Sequence, residues 1–153
     1  MAKRALLIGS ATGGLNGCGT DVGRMTEVLG PRGQGFEIFA RTGKEATREG
    51  ILDAYRTLIG ATGRDDAAFV YYSGHGARVV NAGAGSSGGG PAYYQSIVPY
   101  DFDDTTASDF RGITSIELSA LLSQLTGKTE NVTVMLDCCH STAMSRSVRA
   151  CQP

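Results

Sequence analysis

The sequence predicts an α/β domain built on a mainly parallel sheet flanked by helices on both faces. Three observations predict it. Short apolar runs alternate along the chain with helical, amphipathic stretches, and strands separated by helices need crossover connections. The apolar runs are near-continuous rather than alternating, as expected for strands buried on both sides. The length, 153 residues, fits one domain with one core, so residues 1–153 are read as a single unit.

Residues 5–9 (ALLIG) form the first short strand, followed by a glycine-rich loop to Gly19. Thr20 can cap a helix running to Leu29, with Val22, Met25, Val28 and Leu29 on one side. Residues 31–35 read as a turn and 36–41 (FEIFAR) as a strand. Thr47 caps a second helix whose inner stripe is Ile51, Leu52, Tyr55, Leu58 and Ile59. Residues 67–72 (AAFVYY) form a buried strand that runs out at Ser73-Gly74-His75-Gly76. Residues 82–91 (AGAGSSGGGP) read as one mobile loop. A short extended piece, 96–100 (SIVPY), follows. Ser115 caps a third helix with Ile116, Leu118, Leu121, Leu122 and Leu125 apolar, and residues 131–136 (NVTVML) form the last strand. No internal repeat is present.

Fourteen basic residues against fifteen acidic ones leave a net charge of −1, which gives no reason to expect nucleic acid or an anionic membrane as partner. No apolar run is long enough for a membrane span or a signal-peptide core. Cys18, Cys138, Cys139 and Cys151 do not have the spacing of a disulfide framework, so a reducing cytoplasm is the expected location. Zinc is not expected, because Cys138, Cys139 and His140 are consecutive.

Chemistry in open parallel sheets gathers at the carboxyl ends of the strands. Two strands end in reactive residues, one at His75 and the other at Asp137-Cys138-Cys139-His140. If those strands are neighbours, an imidazole and a thiol meet, which is the arrangement of a base-activated nucleophile. The chain has two histidines. His140 is bonded in sequence to Cys139 and diverges from it, whereas His75 arrives from a separate strand and is favoured as the base. The backbone N–H groups of Gly76 and Cys139 can then face an oxyanion. Strand alternation sends Cys138 and Cys139 to opposite sides, with Asp137 on the side of Cys139. Alternation alone does not say which side holds the site.

These residues resemble a known family. YYSGHG (71–76) and DCCHS (137–141), with SIVPYD (96–101) between them and GCGTDV (17–22) before, resemble the caspase-like cysteine peptidases, in the metacaspase and bacterial metacaspase-like branch. The four motifs stand in the family's order over almost the whole chain. The resemblance implies a caspase-haemoglobinase fold, His75 as base and Cys139 as nucleophile. It also implies an acidic pocket for the residue before the cut, made by Asp21 and Asp137 with Cys18 and Ser73 beside them. Cleavage after Arg or Lys follows, because two carboxylates in one cleft need a cation.

The sequence departs from the family pattern in two places. Many metacaspases hold calcium partly through consecutive acids at the start of the helix after the VPYD strand. Here that stretch reads Ile113-Thr114-Ser115-Ile116-Glu117, with one acid. No cofactor is expected, and calcium dependence is not supported by matching acids. The family's domain also continues past the nucleophile, whereas this sequence stops fourteen residues later. The resemblance therefore covers the large-subunit region, with the C-terminal part of the sheet missing and a small-subunit-like segment as an expected partner.

Each residue also has a plainer reading. Taken alone, His75 would be a loop histidine, Cys139 a buried inert thiol, and Asp21 a first-turn acid favoured by the helix dipole. Asp137 could bond loop N–H groups, and Cys18 reads as packing. The acids between 101 and 109 read as a solvated loop. Tyr71, Tyr72, Tyr93 and Tyr94 read as core and loop anchors, and Arg146 and Arg149 as surface charges or self-cleavage sites. A thiol phosphatase is disfavoured, since its loop would need glycine and one residue fewer between Cys139 and Arg146. Nucleotide binding at 9–19 lacks the lysine of a P-loop and has Val22 where a dinucleotide fingerprint needs glycine. The reading of the sequence is a cysteine endopeptidase acting on protein or peptide substrates after Arg or Lys. Its alternative is a non-catalytic caspase-like module that pairs with a partner through the incomplete sheet.

Overall fold

The computed structural model describes residues 1–81 and 92–138. Four parallel strands form the main sheet, in the order β2 (Glu37–Thr42), β1 (Lys3–Ser10), β3 (Ala67–Gly74), β7 (Asn131–Asp137). The crossovers carry α1 (Cys18–Leu29), α2 (Arg48–Ala61) and α3 (Ser115–Thr126). The α/β class and the flanking of the sheet on both faces agree with the sequence reading. The predicted loop 82–91 and the residues from Cys139 onward, including His140, Arg146 and Arg149, lie outside the described residues.

Alternation along the central strands explains the two-sided core. Ala5 and Leu7 of β1 and Tyr71 of β3 face α1, where Val22 and Leu29 close over them. Leu6, Ile8, Val70 and Tyr72 point the other way, onto Ile51, Tyr55 and Leu58 of α2 and Leu118 and Leu125 of α3. Leu6, Leu7, Ile8 and Val70 are all fully buried, and each such side chain contributes about 1.5–3 kcal/mol of transfer free energy.

Several local expectations change in the structure. The N-cap of α1 is Gly17, not Thr20, and the helix opens two residues before Thr20. Val28 is 58% exposed because it lies six residues from Val22, off the Val22–Met25–Leu29 stripe. Thr47 caps α2 as expected, accepting the Gly50 N–H at 3.1 Å. The cap of α3 is Thr114 rather than Ser115. The Thr114 hydroxyl accepts the Glu117 N–H, and the Glu117 carboxylate accepts the Thr114 N–H, a reciprocal pair that Ser115 could not complete with that glutamate.

The sequence reading lacked a second sheet. β4 (Gly76–Val80), β5 (Tyr93–Ile97) and β6 (Ile113–Thr114) form a three-stranded antiparallel sheet beyond the carboxyl end of β3. The acids between 101 and 109 are not uniformly solvated either. Asp101 accepts the Arg48 backbone N–H at 2.7 Å and the Arg111 guanidinium at 3.2 Å, tying this loop to the start of α2. Arg48 also bridges to Glu117 and to the Gly112 carbonyl. β7 is not buried on both sides: Val134, Met135 and Leu136 are 37%, 47% and 48% exposed.

At the opposite end of the sheet, Asp66 fastens the N-terminus. Its carboxylate accepts the Ala2 N–H at 2.6 Å, the Gly63 N–H at 2.8 Å and Arg4 Nη1 at 2.7 Å. These bonds, the Ala2 N–H first, hold its pKa down at about 2. The folded pKa is below the unfolded one, so the stabilisation is complete above about pH 4 and is lost as pH falls towards 2. The urea midpoint of the native chain is expected to fall more between pH 5 and pH 2.5 than that of Asp66→Asn. Equal falls would remove Asp66 from the acid response.

Candidate active site

The site forms where β1, β3 and β7 end together. β3 and β7 are hydrogen-bonded neighbours, with Ser73 opposite Asp137, and on the other side of β3 Ser73 stands opposite Gly9. The adjacency expected from sequence is therefore present. It brings Asp137 beside the Ser73-Gly74-His75-Gly76 segment.

Gly9 allows α1 to start against β1, since a Cβ there would lie 2.8 Å from the Cys18 carbonyl oxygen and 3.0 Å from Val22 Cγ2. That close approach carries Asp21, in the first turn of α1, over the end of β3. The Ser73 hydroxyl donates to Asp21 Oδ2 at 3.0 Å. The Tyr71 hydroxyl, on the same face of β3, reaches Asp137 Oδ2 at 3.4 Å. Burial, followed by the field of Asp137 and Asp21, raises the Tyr71 pKa, so the phenol stays protonated. Asp21, Ser73, Tyr71 and Asp137 thus form one polar cluster with two carboxylates.

Tyr71 is the member that sequence reasoning assigned to packing. Its ring does pack in the core under α1, but its hydroxyl extends to Asp137. The available signal was the period-two spacing of Tyr71 and Ser73, which places them on one face. Cys18 lies under the cluster. It is 1% exposed and its thiol donates to the Ser10 carbonyl at 3.4 Å. Cys138 faces the other way, packed against the core that α2 and α3 share.

His75 is the one residue between β3 and β4, and it is half-buried. Its Nδ1 is buried and has no hydrogen-bond partner among the described residues. Its Nε2 faces the loop after β1: Gly13 turns there with φ +56°, and a Cβ on it would lie 3.3 Å from Nε2. Gly76 begins β4 and is buried, opposite Ile97. Cys139, the other half of the expected pair and of the oxyanion site, lies outside the described residues.

Among the described residues no three His, Cys, Asp or Glu are grouped as metal ligands, and Asp101 accepts from the Arg48 N–H and the Arg111 guanidinium. Among the described residues no helix is long and apolar enough to cross a membrane.

The chain has relatives among known proteins. The chain is similar to metacaspase III c of Phaeodactylum tricornutum, 29% identical over 91% of this chain and 42% of the relative. It is also similar to metacaspase-6 of Arabidopsis thaliana, 33% identical over 92% of this chain and 38% of the relative. The chain thus spans less than half the length of these relatives. Among solved structures, protein GSU0716 from Geobacter sulfurreducens superposes with a TM-score of 0.69 at 24% identity, over 98% of this chain and 55% of that one, a likeness of fold. The family model for the metacaspase, peptidase C14 domain matches residues 3–147, and the chain belongs to that family of cysteine peptidases.

Proposed function

We propose that this chain carries the catalytic dyad and the substrate-cation pocket of a cysteine endopeptidase that cuts after Arg or Lys. The observation that carries the reading is the meeting of Asp21, Ser73 and Asp137 at the ends of neighbouring strands, with His75 two residues beyond Ser73. In this reading His75 takes the proton of the Cys139 thiol, and Nδ1, which has no hydrogen-bond partner among the described residues, is the nitrogen that receives it. The thiolate attacks the peptide carbonyl carbon, and the Gly76 and Cys139 N–H groups hold the oxygen that becomes negative. The imidazolium returns the proton to the leaving amine. Water then hydrolyses the thioester, His75 again serving as base, and the free thiol is restored. Asp21 and Asp137 hold the substrate cation, with Ser73 orienting Asp21 and Cys18 backing the pocket from beneath.

The exposed edge of β7 supports a further element of this reading. Val134, Met135 and Leu136 make an apolar strand whose outer edge has no strand partner among the described residues, suited to a strand from a small-subunit-like segment. The same edge favours the second reading, a non-catalytic module that recruits a partner by strand addition.

A cleavage assay separates the two. Peptides with Arg, Lys or Asp before a reporter group are offered to this chain alone and to this chain joined to a small-subunit-like segment, with and without calcium. Turnover of the Arg and Lys peptides above the Asp peptide is the expected result. No turnover of any peptide by either form would leave the module as the function.

A further inference from the structure

His75 joins two sheets. β3 ends at Gly74 in the parallel sheet and β4 starts at Gly76 in the antiparallel one. Glycine on both sides leaves this backbone permissive, so sequence neighbours do not fix the direction of the imidazole. The Tyr72 side chain supplies a restraint. It is 1% exposed, on the face of β3 opposite Tyr71. Its single phenolic proton lies between the carbonyl oxygens of His75, at 2.8 Å, and Val98, at 3.0 Å. Its oxygen accepts the Val98 N–H at 3.1 Å, and that N–H also reaches the His75 carbonyl at 3.1 Å. One hydroxyl therefore stitches the end of β3, His75 itself and the residue after β5. Gly74 fits the same arrangement, since a Cβ there would overlap the Tyr72 hydroxyl.

We propose that Tyr72 is a positioning residue: its hydroxyl holds the His75 carbonyl and the Val98 peptide together and so fixes the direction in which the imidazole meets the thiol. This rests on the peptidase reading for its catalytic consequence, and on the hydrogen bonds alone for its geometry. Burial raises the Tyr72 pKa well above that of free tyrosine, so the hydroxyl keeps its proton through the working pH range. In Tyr72→Phe the ring still fills the core, and the Val98 N–H still reaches the His75 carbonyl. The protein is expected to fold while the imidazole loses its register.

The test compares Tyr72→Phe with the native chain and with Tyr55→Phe, which removes another buried hydroxyl from the same core, remote from His75 in sequence. At a temperature well below melting, Tyr72→Phe is expected to lower kcat on an Arg peptide about tenfold or more, with KM within about twofold. Alkylation of Cys139 by iodoacetamide below neutral pH should slow in parallel. Tyr55→Phe should change melting temperature only. A Tyr72→Phe protein with native kcat and a native alkylation profile, or one matched by Tyr55→Phe, overturns the proposal. If the native chain turns over no peptide, the peptidase reading fails separately. The positioning role is then read from the NMR titration of His75 in a His140→Gln background, where it is the sole histidine. A shifted midpoint or ring resonance in Tyr72→Phe sustains the role, and identical titrations overturn it.

Discussion

Cys139→Ala and His75→Ala are each expected to lower kcat/KM on an Arg peptide by about 10³-fold or more, while Cys138→Ala stays within a few-fold of the native chain. The contrast between adjacent cysteines is the informative part. Cys138 packs against the core shared by α2 and α3, the face away from the Asp137–Tyr71 contact. Its thiol is on the wrong side of β7 to share a cleft with Asp21 and Asp137. His75, by contrast, follows Ser73 directly through Gly74, and Ser73 bonds Asp21. Residues that act as one unit are not additive, so a Cys139→Ala, His75→Ala double variant should be little worse than either single one. Mass spectrometry after reaction with an Arg-directed halomethyl ketone gives an independent readout. The native chain and Cys138→Ala should gain one inhibitor, and Cys139→Ala none. Labelling that follows Cys138 instead would reverse the assignment of the nucleophile.

Neutralising the pocket acids should change specificity rather than chemistry. Asp21→Asn or Asp137→Asn alone is expected to reduce the ratio of Arg to Asp cleavage by about tenfold, and the pair together by about 10²-fold or more. The two acids should not respond alike to salt. Asp137 is exposed and touched by the Tyr71 hydroxyl at 3.4 Å, whereas Asp21 is partly buried and holds a 3.0 Å bond from Ser73. Screening acts most on exposed charges. Raising the salt to about 0.5 M should therefore erode the contribution of Asp137 more than that of Asp21. The measurement is kcat/KM for paired peptides that differ only before the cut. A ratio unchanged in the double variant would take the cation pocket away from these residues.

Much of this arrangement was legible in the sequence. The buried strands announced themselves as apolar runs, and Thr47 marked the start of α2 through its hydroxyl. The motif residues Asp21, Ser73, His75 and Asp137 stood at strand or helix ends, where parallel sheets gather their chemistry. The second sheet was not legible. Its strands are short, β6 has only two residues, and β4 and β5 pair across the stretch 82–91, so no periodicity marks them. Thr114 and Ser115 are both good caps, and the choice depended on which one Glu117 could reach back to. Asp101 looked like one acid among several until its bonds to Arg48 and Arg111 tied the loop to α2.

The sequence by itself determined which groups are present and which of them share a face within one strand, because alternation is a property of the chain. Tyr71 and Ser73 were bound to one side of β3 and Tyr72 to the other, and Asp137 and Cys138 to opposite sides at the end of β7. Only the tertiary structure decided that β3 lies beside β7, that α1 comes close enough at Gly9 for Asp21 to reach Ser73, and that Tyr72 clasps His75 to Val98. Those contacts join residues up to 66 positions apart, and their formation depends on which surfaces pack, a property that no local pattern records.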